Sequence, residues 1–270
     1  MDRIADYRFV RLIGEGSNGR FFLALTPPRL GIADDHVAVK VLEATTDTSA
    51  FHRMTRELRA FAAIRSPFLV TLYDAGKEAD AFYYAMEYFP LGSLAAPARP
   101  LTREETLRAM SHAARAVHEL HDAGMAHRDI KPANIMLDPN GGKLADLGLL
   151  QAVAPGQTVT GMGGMGAIGS IEFVDPAILR GERASRASDI WALGVTLHRV
   201  LSGHSVYGEL PDRDPLLAVR RVLNRPPAVD PDLDAEEASI ILACLETDPA
   251  ARLRTAGEVA DRIEALGVRS

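Results

Sequence analysis

A Pro-, Gly- and Ala-rich stretch, "PLGSLAAPARP" from residue 90 to 100, divides the chain into two parts with different periodicity. Upstream, "YRFVRLIGEG", "GRFFLAL" and "HVAVKVLE" are short runs of β-branched and aromatic residues broken by Gly and Pro, which predict strands. Apolar residues at 51, 54, 58, 61 and 64 recur every three or four positions and predict one helix. "FLVTLYDAG" and "FYYAMEYF" flank "KEAD" and predict a hairpin. Residues 1–90 are therefore expected to form a five-stranded antiparallel sheet with one long helix. Residues 91–270 carry helical patterns instead. Thr102 and Glu105 make a capping box before a periodic run that Gly124 closes, and "SDIWALGVTLHRVLSG", "DAEEASIILACLE" and "AGEVADRIEAL" predict further helices. The fold class is α+β with two lobes, hinged at the Pro/Gly/Ala break. No internal repeat is visible. The Gly- and Met-rich stretch 158–169 has no period of either kind and reads as a mobile or disordered loop.

At 270 residues, 47% hydrophobic and 24% charged, the composition is that of a globular protein. A formal charge of −6 argues against general nucleic-acid binding, and no nucleic acid is expected as a partner. The single cysteine, Cys244, cannot form an internal disulfide, and its apolar surroundings predict a small buried side chain. No apolar run approaches the roughly 18 residues that span a bilayer, so no membrane contact is expected of this segment. A cytoplasmic location is expected, either free or as the cytoplasmic part of a longer membrane protein.

Four stretches carry residue types that suit phosphate chemistry. "GEGSNG", residues 14–19, places Gly14, Gly16 and Gly19 between two predicted strands, where backbone N–H groups can approach phosphate oxygens without Cβ clashes. Taken alone it is a weak signal, since a plain β-turn has the same look. Lys40 closes "VAVK" on a strand, flanked by Val39 and Val41, and a buried ammonium needs a partner. Glu57 on the following helix is the natural one, although two unrelated surface charges would read alike. "AHRDIKPANIML" places Asp129, Lys131 and Asn134 in one short segment before an apolar run. "KLADLGL" then sets Asp146 before Gly148, twelve residues after Asn134. An amide oxygen and a carboxylate are hard donors that suit Mg²⁺. Asp129 is left as the group that could accept a hydroxyl proton. His112, His118 and His121 share one helix, but no Cys or carboxylate cluster completes a zinc site around them.

In this order and spacing, "GEGSNG", "VAVK", Glu57, "HRDIKPAN", "DLG" and "SDIWALG" resemble the signature set of bacterial Hanks-type serine/threonine protein kinases. The resemblance runs from about Tyr7 to the last helix. It implies the bilobal kinase fold and ATP as cofactor with Mg²⁺, or Mn²⁺ in its place. Protein substrates with Ser or Thr acceptors are implied, with autophosphorylation and a homodimer that would allow it in trans. Lys40, paired with Glu57, would contact the α- and β-phosphates. Asp129 would orient the acceptor hydroxyl, Lys131 would stabilise the transferring group, and Asn134 and Asp146 would hold the metal. Gly14, Glu15, Gly16, Ser17 and Gly19 would cover the phosphates. Ala38 and Phe21 would roof the adenine over Met136, with Met86 as gatekeeper. The Glu87–Tyr88 backbone would bond the base, and Ser93 would lie near the ribose. Phe61, Leu72, Leu147 and His127 would stack as an internal spine supported by Asp189, with His127 a packing residue and no base.

The sequence departs from the family at Phe21, where Val is usual, at Leu147, where Phe is usual, and at Ala177 in "FVDPAIL", where the family has Glu. The last change removes the acid that pairs with the arginine matching Arg252. Arg252 is therefore expected to recruit a substitute, and Asp175 and Glu182 are the nearest carboxylates in sequence. Thr158 or Thr160, the only threonines between Asp146 and Pro176, are expected to be phosphorylated regulatory positions facing Arg128, and Ser170 a structural contact. The alternative function is an ATP-binding pseudokinase or weakly active scaffold, favoured by the Gly-rich loop and Ala177. Lys131 and "SDIWALG" speak against a small-molecule phosphotransferase.

Overall fold

A computed structural model describes residues 2–16, 19–43, 48–79, 81–146, 168–211 and 214–267. Two compact units emerge. The first comprises Met1–Arg65 with Val70–Tyr88, and the second Ser66–Leu69 with Phe89–Ser270.

The first unit is a six-stranded antiparallel sheet and one helix. Its strands are β1 (Arg3–Ile4), β2 (Tyr7–Gly16), β3 (Gly19–Leu25), β4 (His36–Glu43), β5 (Leu72–Glu78) and β6 (Ala81–Met86), in the order β1-β2-β3-β4-β6-β5. Five of them match the sequence expectation. The two-residue β1 was not expected, because it is too short to show a period and exists only by pairing Arg3 with Arg8 and Ile4 with Tyr7. Helix α1 (Thr48–Ala62) buries Leu58 and Phe61. One face of the sheet packs Ile4, Tyr7, Phe22, Ala24, Val37, Val39, Val41, Tyr83 and Ala85 into a core. Arg29, from the connection after β3, bonds both Asp6 oxygens (2.7 and 2.9 Å) and Asp74 Oδ2 (2.6 Å), tying the chain start and β5 to that connection.

The second unit is mostly helical. It holds α2 (Arg103–Asp122), α3 (Pro176–Leu179), α4 (Arg186–Ser202), α5 (Pro215–Asn224), α6 (Ala235–Cys244) and α7 (Ala256–Gly267). The capping box on α2 is present in both directions, Glu105 N–H to Thr102 Oγ1 (3.1 Å) and Thr102 N–H to Glu105 Oε2 (2.9 Å). Helix α4 is apolar nearly all round and buried from Ser188 to His198, so it forms the centre of the unit. Its Gly194 sits where a Cβ would approach Cys244 Cβ to 2.5 Å, so α6 packs directly on the α4 backbone. Burial pushes the Cys244 thiol up to about 12, in keeping with an inert core residue. A small four-stranded sheet also occurs, β10-β9-β7-β8, made of β7 (Gly92–Ser93), β8 (Ala96–Pro97), β9 (Ile135–Asp138) and β10 (Gly141–Leu144). The first two of these strands lie inside the stretch that reads as a simple hinge. Among the described residues, no helix is long and apolar enough to cross a membrane.

Candidate active site

In the first unit, cross-strand register puts the candidate nucleotide residues on one face of the sheet. Phe21, Lys40 and Tyr84 lie opposite one another in one row across β3, β4 and β6, and Leu23, Ala38 and Met86 in the next. Residues directly opposite in an antiparallel pair share a face. Lys40 is 5% exposed, with its Nζ 4.7 Å from the Phe21 ring centre and 5.8 Å from that of Tyr84. Cation–π contact thus helps to offset the cost of burying this ammonium. Glu57 lies half-buried on α1. The glycine hairpin closes with Gly16 opposite Gly19, and Glu15 stands opposite Arg20. Gly19 has φ 130°, and a Cβ there would lie 2.4 Å from Val41 O, so only glycine fits. Ser17 lies outside the described residues. Glu87 donates its N–H to Thr71 O (3.0 Å), so this donor is already engaged within the unit. Tyr88 accepts a hydrogen bond from Arg11 through its hydroxyl (3.3 Å).

The second unit assembles the candidate catalytic loop. Asp129 accepts hydrogen bonds from Lys131 Nζ at 3.0 Å (Oδ1) and 2.8 Å (Oδ2), and from Asn134 Nδ2 at 2.9 Å. Asn134 Nδ2 also reaches the Asp129 carbonyl at 2.7 Å. Both amide protons of Asn134 are thereby used, and its Oδ1 is turned the other way. Asn134 is brought round by a 3₁₀ turn over Pro132–Asn134, whose Pro sets φ for the first position.

Ala145 fixes the next candidate. Its N–H bonds Asn134 O (2.8 Å) and its carbonyl accepts from His127 Nε2 (3.1 Å), so Asp146 leaves from a backbone held on both sides. Asp146 itself has φ 62°, a left-handed conformation that Asp tolerates. His127 is fully buried, and burial holds its imidazole below the ordinary histidine value. With Nε2 donating to Ala145, its Nδ1 accepts from Asp129 N–H (3.3 Å), which is the work of a neutral scaffold ring.

Asp189 on α4 holds the whole turn. Its Oδ2 accepts from His127 N–H (2.8 Å) and its Oδ1 from Arg128 N–H (2.9 Å), while His121 Nε2 lies 2.9 Å from Oδ2. Arg128 has φ 72°, a conformation costly for a long side chain, and these bonds retain it. Ser93 on β7 is opposite Met136 on β9, so those two candidates are neighbours. His112 packs on Phe68 (4.9 Å between ring centres) and His118 lies 3.7 Å from Asp122. The three histidines of α2 thus serve three different partners.

Arg252 has found its substitute acid. Nη1 bonds Asp175 Oδ2 at 2.5 Å and Ala187 O at 2.8 Å, Nε bonds Glu246 O at 2.9 Å, and the guanidinium lies 4.9 Å from the Trp191 ring centre. Asp175 Oδ1 meanwhile caps α3 through Ala177 N–H (2.9 Å). Glu182, the other candidate, stays exposed in the turn beyond α3. Leu147, Thr158 and Thr160 lie outside the described residues, as does the side chain of Ser170.

Residues 7–262 match the family described as protein kinase domain. The chain belongs to the protein kinase family. This kinase domain is 33% identical, over 96% of its length, to the serine/threonine-protein kinase PknA of Mycobacterium tuberculosis, of which it covers 61%. It is 30% identical to the serine/threonine-protein kinase PrkC of Bacillus subtilis over 94% of its length, covering 39% of that relative. To PknB of Mycobacterium tuberculosis it is 33% identical over 83% of its length, covering 37%. The chain therefore spans less than two thirds of these curated relatives.

Proposed function

We propose that this kinase domain transfers the γ-phosphoryl group of ATP to Ser or Thr hydroxyls of proteins, its own chain included. The observation that carries the reading is the Asp129 carboxylate, held between Lys131 Nζ and Asn134 Nδ2 beside a backbone that delivers Asp146. When bound, ATP with its divalent metal supplies the group transferred and the leaving group. Asp129 orients the acceptor hydroxyl and takes its proton, and Lys131 carries the positive charge that meets the phosphoryl oxygens. Asn134 Oδ1 and the Asp146 carboxylate suit a hard cation, Mg²⁺ or Mn²⁺. Lys40 and the glycine hairpin would take phosphates, Ala38, Phe21 and Met86 would flank the base, and Ser93 with Met136 would contact ribose and base. The pseudokinase alternative drew on the Gly-rich loop and on the lost acid at Ala177, and with Arg252 paired to Asp175 the second of these supports falls away.

Incubation with γ-labelled ATP and Mg²⁺ or Mn²⁺, followed by mass spectrometry of the product, tests the reading. Lys40→Met and Asp129→Asn should abolish transfer while the far-UV spectrum stays unchanged. Equal labelling of wild type and Asp129→Asn refutes the role given to Asp129.

A further inference from the structure

Residues 176–225 carry eight arginines and five carboxylates, in a chain whose formal charge is −6. Four of these arginines are already committed. Arg199 bonds Glu172 (2.7 Å), Arg225 reaches Tyr207 O (3.5 Å), and Arg186 and Arg221 bond the carbonyls of His121 and Glu209. Arg213 lies outside the described residues. Arg180, Arg183 and Arg220 remain exposed, and among the described residues none of the three has an ion pair or side-chain hydrogen bond.

Their placement is not random. Arg180 ends α3 and Arg183 follows in the turn after it, while α3 packs against α5, which carries Arg220. Helix α5 buries Ala218 and Val222 and turns Leu216 (60% exposed) and Leu217 (45%) outward beside Arg220. Spare cations and uncovered leucines therefore share adjoining elements. The same elements are joined to the catalytic loop within one unit, because the 168–173 turn packs on both α4 and α5, and α4 holds the loop through Asp189.

We infer that this α3–α5 surface selects acceptor segments of protein substrates that carry acidic residues together with an apolar one. The inference rests on the proposed protein-kinase activity and names its substrate class. Charge complementarity decides the sign of the partner, and the leucines favour a polypeptide, which offers carboxylates and apolar side chains together. Exposed pairs are individually weak, so selectivity should come from the three arginines jointly and fade as salt screens them.

The test uses three acceptor peptides with the same central Ser and Leu, flanked by Glu, Gln or Lys, and the triple variant R180E/R183E/R220E. Wild type should show a kcat/KM about tenfold higher for the Glu peptide than for the Gln peptide, reduced towards equality at 0.5 M NaCl, where the Debye length is about 4 Å against about 10 Å at 0.1 M. The triple variant should lose this preference or turn to the Lys peptide, with its rate on the Gln peptide unchanged. Equal wild-type rates on Glu and Gln peptides, or a preference that survives the triple reversal, overturns the inference. Fluorescence anisotropy of a labelled Glu peptide separates this from failure of the kinase reading. If no peptide is phosphorylated yet the Glu peptide binds wild type and not the triple variant, the surface stands and the catalytic reading falls. If anionic phosphatidylserine vesicles bind through these arginines while the Glu peptide does not, the surface belongs to lipid and the inference is wrong.

Discussion

Removing the Asp175 carboxylate should be among the most damaging single changes outside the candidate catalytic loop. The side chains of Asp175 and Arg252 are 4% and 1% exposed, and Asp175→Ala would leave a guanidinium buried without its counter-charge. Breaking a buried pair from one side costs about 3–5 kcal/mol. The same change removes the α3 cap at Ala177 N–H, for about 1 kcal/mol more, although effects on one residue do not simply add. A loss of about 4 kcal/mol is expected, a large share of a domain's typical 5–15 kcal/mol, and Tm should fall by roughly 8–16 °C. Urea unfolding followed by fluorescence is well suited, because Trp191 is the only tryptophan and lies against Arg252. Asp175→Leu combined with Arg252→Met should recover part of the loss, since apolar replacement of a whole buried pair is often nearly neutral. Ala177→Glu, which restores the acid usual in the family, should not stabilise, because Arg252 already has three acceptors. If Asp175→Ala costs less than about 1 kcal/mol and leaves the Trp191 emission unchanged, the reasoning is wrong.

Asp189→Ala should cost roughly 3–5 kcal/mol, because two backbone N–H groups and His121 lose one acceptor, and phosphoryl transfer should fall with it; thermal unfolding and γ-phosphate labelling read the two effects. Asp146→Asn should weaken Mg²⁺-dependent nucleotide binding, measured calorimetrically, more than Asp129→Asn does; the reverse order would exchange their roles. Stability should be full above about pH 6.5 and decline below it. His127 and His198 are buried with imidazoles held below the ordinary value, so the unfolded chain binds protons that the folded one refuses, at up to about 1.4 kcal/mol per pH unit for each. Burial raises the Glu172 carboxyl and acts in the opposite direction from about pH 4.5 upward, so urea midpoints from pH 7.5 to 5.5 are best compared in a Glu172→Gln background; a flat profile there would contradict the histidine argument.

Polar residues embedded in apolar runs made the candidate catalytic loop legible, because Asp129, Lys131, Asn134 and Asp146 stand out only if something other than packing placed them. What linear spacing could not convey was how these residues are held. The left-handed backbone at Arg128 and the two-sided anchoring of Ala145 arise from contacts remote in sequence. Helix α5 had a visible signal in Asp214 followed by Pro215, an N-cap and a first-turn proline, with Ala218 and Val222 four apart, but its short apolar pattern sits between Pro- and Asp-rich segments. The pairs that make β7 and β8 are too brief for any period to register. Between Asp175 and Glu182, proximity in sequence could not choose. Geometry did, because the cap on α3 points the Asp175 carboxylate inward while Glu182 falls in an exposed turn.

The bonds from Asp189 to His127 and Arg128 span 62 and 61 positions of the chain. The order of folding is thereby constrained. Residues 126–134 carry the candidate reacting groups, yet the backbone N–H groups of His127 and Arg128 are held from outside the segment, so a chain ending before Arg186 is expected not to keep this turn. Contacts of such separation form only after the intervening chain has been closed, at an entropic cost that local turns do not bear. During refolding, the far-UV signal of the helices should therefore return before the ability to transfer phosphate. The delay between the two would time the arrival of a single carboxylate.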